Sequence, residues 1–158
     1  MNEQAIQSIV ETVVSKISPK DITLDLAQSV AQKVREKAEK MGVKAVVAIS
    51  NRAACPVLEE SMDDAYIASY DIAVQKAFTV VSLKMSTATL KPLAQPGGSL
   101  YGIQFTNGGK IVIFGGGEPL KNREGQIIGG IGVSGGTEAQ DTALAAYGKE
   151  IFEKGQYL

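Results

Sequence analysis

Apolar positions recur at helical spacing from the start of the chain. Ala5, Ile6, Ile9, Val10, Val13, Val14 and Ile17 form one stripe, and Asn2, Glu3, Gln7, Ser8, Glu11, Thr12, Ser15 and Lys16 fill the opposite face. The pattern predicts an amphipathic helix over 2–17, ended by Ser18, Pro19 and Lys20. Its β-branched residues give it modest intrinsic helicity, so it needs a surface to pack on. That surface is its own domain, its own oligomer, or a separate partner to which the helix acts as a detachable tag. A second stripe (Leu24, Leu26, Ala27, Val30, Ala31, Val34, Ala38, Met41) predicts a helix over 24–41, with Thr23 as N-cap and Gly42 as the residue that stops it.

The period then changes. Residues 43–50 (VKAVVAIS) and 55–59 read as two strands around a turn at 51–54, and Ile67, Tyr70, Val74, Ala77, Phe78 and Val81 mark a third helix over about 66–82. Asp63 and Asp64 precede that helix. They suggest metal-binding carboxylates, but as acidic residues ahead of a helix they read first as cap and first-turn charges. Residues 86–93 suit a short helix ended by Pro92, and 100–105 a partly extended segment. Residues 111–114 (IVIF) read as a strand and 126–133 as a second, apolar at nearly every position and therefore covered on both faces. A closing helix spans about 138–154. Helices with hairpin-connected strands give an α+β domain around an antiparallel sheet.

Nine of the seventeen glycines (115, 116, 117, 125, 129, 130, 132, 135, 136) fall within residues 110–140. Gly130, Gly132 and Gly135 match G-x-G-x-x-G ahead of a helix, yet a dinucleotide fold also needs a following strand and an acidic residue about 20 positions on, and only one helix follows here. Thr137 and Gln140 have the spacing of a capping box, and Glu138 and Asp141 suit the positive end of the helix dipole. Those two carboxylates also argue against a phosphate at these amides. The turn at Gly115, Gly116 and Gly117, with Ser134, Gly135 and Gly136, is a candidate ligand-binding surface through backbone amides, with Tyr70 and Lys76 from the third helix nearby. The competing reading is that these glycines serve only tight turns and close helix–sheet packing.

The chain has 158 residues, a net charge of −1 and no basic cluster, so nothing points to nucleic acid. No apolar run reaches the length of a membrane span, and the N-terminus lacks the apolar core of a secretory signal. Cys55 is alone, which fits a reducing cytoplasm. The absence of histidine removes the usual general base and the usual zinc and haem ligand. No catalytic set is visible. Asp63, Asp64, Tyr70, Lys76 and Tyr101 are the polar candidates for a cleft, and each reads first as a cap, surface or packing residue.

From Ile22 onward the chain resembles the GlcG/HbpS-like family, also found as the C-terminal domain of PduO-type proteins. The resemblance is carried by Thr23-Leu24, Met62-Asp63-Asp64-Ala65, Ile72-Ala73 and Lys76-Ala77-Phe78-Thr79. It continues in NGGKIVIFGGG at 107–117, GGIGVSGGT at 129–137 and Gln140-Asp141, with Leu100-Tyr101-Gly102 and the triple glycine closest to the PduO-like branch. It implies a profilin-like domain over 21–158 that assembles into homo-oligomers, often octamers. In some members it implies haem binding or a link to corrinoid and diol metabolism. Haem or corrinoid is thus the cofactor class implied, and this chain departs from haem-binding members by having no histidine to offer iron. Residues 1–20 lie outside the family core. They resemble the encapsulation peptides that carry enzymes into bacterial microcompartments, with Ile6, Ile9, Val10, Val13, Val14 and Ile17 as the targeting face. The expected function is a non-enzymatic oligomeric binding or accessory protein, cytoplasmic or in a microcompartment lumen, with shell or cargo proteins as partners. The alternatives are a structural lumen protein without a small ligand, and a haem-degrading or corrinoid-related enzyme.

Overall fold

A computed structural model describes residues 2–155, without the side chains of residues 14–17. It contains helices α1 (Glu3–Ile17), α2 (Leu24–Lys40), α3 (Ile67–Leu83), α4 (Thr87–Leu93) and α5 (Glu138–Gly155). The strands are β1 (Val46–Asn51), β2 (Pro56–Ser61), β3 (Gly117–Lys121) and β4 (Ile127–Ser134). The strands form one antiparallel sheet in the order β2-β1-β4-β3, so the fold is α+β as the periodicities predict. No helix among the described residues is long and apolar enough to cross a membrane.

The alternation along β1 and β4 divides the interior in two. Val47, Ile49, Ile131 and Val133 face α2 and α5, where they meet Val30, Val34, Leu144 and Phe152. Val46 and Ala48 face α3, against Ala73 and Ala77. Burial on both sides explains why β4 shows no polar alternation. On the α3 side, β4 presents Gly130 and Gly132. A Cβ at Gly132 would sit 2.0 Å from the Ala73 carbonyl oxygen, and one at Gly130 would sit 2.7 Å from that of Ala77. Backbone therefore lies on backbone here. Two hydroxyls lock the contact: Ser50 Oγ donates to the Ala77 carbonyl at 3.2 Å, and Ser134 Oγ lies 3.0 Å from Ser69 Oγ.

Local signals place the helix ends. Thr23 Oγ1 accepts from the Leu26 amide at 3.3 Å, and Gly42 follows α2 with φ +69°. The Thr137–Gln140 capping box is reciprocal, with Thr137 N donating to Gln140 Oε1 at 2.9 Å and Gln140 N donating to Thr137 Oγ1 at 3.2 Å.

Three local expectations are corrected. Residues 111–114 are not a strand: the Val112 amide donates to Thr79 Oγ1 at 3.0 Å, a side chain on α3, and pairing with β4 begins only at Gly117 opposite Gly132. Pro119 falls inside β3, which an edge strand tolerates. Residues 100–105 turn rather than extend, with Gly102 at φ +90° and a 3-10 turn at Ile103–Phe105. Asp63 and Asp64 do not cap α3. Its N-cap is Tyr66, its first turn has no acidic residue, and Asp64 adopts φ +64° in the preceding turn.

Candidate functional site

Lys76 lies in the middle of α3 on the face that meets β4, and it is fully buried. A buried ammonium needs partners in hand, and two elements supply them. Its Nζ donates to the Val133 carbonyl of β4 at 2.7 Å and to Asp141 Oδ2 of α5 at 3.0 Å. The Phe114 ring lies over the same group, with its centroid 5.0 Å from Nζ. Burial drives the Lys76 amine below its ordinary value near 10.5, while the charge and hydrogen bond of Asp141 oppose that shift.

The glycines fit around this pair. Gly116 takes φ +112°, and a Cβ there would stand 2.5 Å from Lys76 Nζ and 2.7 Å from the Val133 carbonyl oxygen. Its carbonyl accepts the Val133 amide at 2.8 Å. On either side the amides are taken: Gly115 N donates to Glu138 Oε1 at 2.9 Å and Gly117 N to Thr87 Oγ1 at 2.9 Å. Glu138 in turn pairs with Lys91 at 2.6 Å. Asp141 Oδ1 accepts the Gly136 amide at 2.8 Å. Thus the carboxylates in the first turn of α5 bind the amides of both glycine turns.

The structure therefore brings Lys76 together with Gly115, Gly116 and Gly117, and joins them to Gly136 through Asp141. Ser134 is buried against Ser69. Gly135 and Gly136 open instead onto a cleft of about 460 Å³, shared with Gly42, Lys44, Asp64, Tyr66, Thr137 and Gln140. Tyr70 is separate from the Lys76 cluster: it is 60% exposed, beside Glu59. A hydrogen bond with Glu59, and then the Glu59 charge, raise the Tyr70 phenol above its ordinary value near 10; desolvation is the main cause that raises Glu59. Among the described residues no group of three or more His, Cys, Asp or Glu is placed to hold a metal.

Asp141, Phe114 and Tyr66 are the members of this region that the sequence did not assign to a site. Asp141 has the first-turn position of a dipole-compensating residue, which hides its second role. A signal for Lys76 was present, since it shares the small-residue face of Ala73, Ala77 and Val80.

An antiparallel sheet held between two helix layers is a fold shared with known proteins. The family model described as haem degrading protein HbpS-like matches residues 22–150, and the chain belongs to that family. An uncharacterized 15.0 kDa protein from the dhaT–dhaS intergenic region of Citrobacter freundii is 42% identical over 117 residues, covering 74% of this chain and 82% of that one. The corrinoid adenosyltransferase PduO of Citrobacter freundii is 40% identical over 108 residues, which are 68% of this chain but only 32% of PduO. Among solved structures, Klebsiella pneumoniae protein ORFY superposes with a TM-score of 0.81 at 43% identity, covering 84% of this chain and 90% of that one. PduOC in its complex with haem superposes with a TM-score of 0.78 at 34% identity, covering 82% and 93%.

Lys91 first, and then the Gly115 amide, hold the Glu138 carboxyl below its ordinary value near 4.5. A carboxyl depressed in the folded state adds stability above its unfolded pKa and loses it as pH falls through the folded one. Melting temperature measured against pH should therefore drop less steeply below about pH 4.5 in Glu138→Gln than in the parent. The difference should stay within about 1 kcal/mol, because both partners are more than a third exposed.

Proposed function

We propose that this chain is a non-enzymatic, homo-oligomeric binding module for a tetrapyrrole, serving diol- or amine-degrading metabolism in a cytoplasmic microcompartment. The observation that carries the ligand class is the family membership together with the likeness, over most of both chains, to PduOC in complex with haem. The likeness to part of PduO supports the metabolic setting. Large apolar side chains left in solvent support self-association: Ile67 is 96% exposed, Phe105 81% and Tyr101 64%.

In this reading the ligand meets the open rim of the glycine turns. Gly135 and Gly136 offer backbone to the cleft and Tyr66, the N-cap of α3, offers a phenol. Gly115, Gly116, Gly117, Ser134 and Lys76 act from behind by fixing the shape of the turns. With no histidine in the chain, Tyr66 is the phenol among the oxygen donors at this cleft and the one we assign to iron. Tyr70 lies outside this cleft, exposed beside Glu59. Haem supplies redox and ligand chemistry at its iron when bound; the protein supplies the cleft and the donor. The family description favours haem degradation as the second reading. Lys76 and Asp141 are already committed to each other, which is why binding comes first.

Hemin titrated into the intact protein of known oligomeric mass should give a saturable Soret shift at a fixed ratio per chain, and Tyr66→Phe should weaken it. A spectrum unchanged across the titration, for hemin and for cobalamin, would remove the tetrapyrrole.

The exposed stripe of α1 supports the targeting part of the proposal. Ile6, Ile9, Val10 and Val13 are each between 46% and 53% exposed; Val14 and Ile17 of the predicted face have side chains outside the described residues. Residues 1–20 fused to a fluorescent protein should concentrate in puncta in cells that make compartment shells, and diffuse fluorescence there would rule the tag out.

A further inference from the structure

The stripe on α1 has a counterpart elsewhere on the molecule. α2 and α5 pack together over one face of the sheet, and between their outer sides runs a groove of about 390 Å³. Leu26 and Val30 form one wall, Tyr147, Ile151 and Phe152 the other, and Lys33 and Lys154 stand at the rim. Two features match. Leu26 to Lys33 and Ile6 to Val13 each span seven residue steps, about 10 Å or two turns of helix. Glu3 and Glu11 lie in one row along the edge of the α1 stripe, with Gln7 between them, opposite in sign to the groove's lysines. Lys33 has no ion pair among the described residues, and Lys154 has only an exposed pairing with Glu150 on its own helix.

The segment between α1 and α2 decides whose helix enters. Ser18 and Ile22 are buried. The Pro19 carbonyl accepts from Asn122 Nδ2 at 3.3 Å, and Asp21 Oδ1 accepts the amides of Ile22 and, at 2.9 Å, Arg52. These contacts fix the root of α1 to the turns at one end of the sheet, and in that arrangement the stripe remains in solvent. With residues 18–22 held in this way, folding α1 back over its own α2 would have to reverse the chain at its junction with the buried Ser18. A second copy requires no such change. The groove begins at the first turns of α2, close in sequence to the root of α1, so two copies related by a twofold axis near their roots place each α1 over the other's groove.

We infer that the α2–α5 groove receives the α1 helix of a second copy of this chain, in a reciprocal exchange that buries both apolar surfaces. This goes beyond ligand binding and does not depend on it. It also bears on targeting, because a helix seated in this groove hides the face that a shell protein would have to meet.

The test is disulfide trapping in the full-length protein with Cys55→Ser as background. Chains carrying Ile9→Cys are mixed with chains carrying Ile151→Cys and oxidised, then resolved without reductant. A disulfide-linked heterodimer is expected. Adding Val10→Asp to the first chain should lower its yield about tenfold or more, with an unchanged melting temperature to show that the domain stays folded. A single chain carrying both cysteines that closes on itself as a monomer would overturn the exchange, as would the absence of any 9–151 disulfide in the mixture.

Discussion

A lysine amine with no access to water dictates much of this fold. Lys76 Nζ must find acceptors within the protein, and it finds one on β4 and one on α5. For the reach to work, α3 has to lie directly on β4, which the glycines at 130 and 132 and the alanines at 73 and 77 allow. α5 has to begin where Asp141 faces inward, and the chain ahead of β3 has to pass over the amine without a side chain, at Gly116. A buried pair of this kind is no general source of stability, because desolvating two charges offsets most of their attraction. Its effect is on specificity, since any other placement of these elements would strand a charge.

The glycine-rich segment takes a different meaning in this light. Its amides at Gly115 and Gly136 are engaged by the Glu138 and Asp141 carboxylates and that of Gly117 by the Thr87 hydroxyl, so the acceptors they bind are the protein's own. Open clefts and exposed apolar side chains lie at the margins of this closed unit: the Gly135–Gly136 rim with Tyr66, the exposed aromatic residues of the 101–105 turn, and the α2–α5 groove with the exposed stripe of α1.

Most of the architecture was legible in the sequence. Helical stripes, the Thr23 cap and the Thr137–Gln140 box are local signals, and they placed the helices to within a residue or two. The start of β3 was not legible. Residues 111–114 have strand composition, but the Val112 amide bonds to Thr79, a partner 33 positions away that no local pattern announces. The two acidic residues before α3 fail as caps for a similar reason, because the Asp64 turn moves the helix start past them. The site was half legible. Lys76 and the glycines were singled out for a ligand, and what the sequence concealed was that Asp141 and Glu138, read as dipole charges, reach across to occupy the same groups.

The most direct test of the central claim is a double-mutant cycle on Lys76→Met and Asp141→Leu, read as unfolding free energy. Each single change strands the other charge and should cost about 3–5 kcal/mol, while the double change should cost much less than their sum. Additive losses would mean that the pair does not organise the join of α3, β4 and α5, and that the glycines around it are there for some other reason.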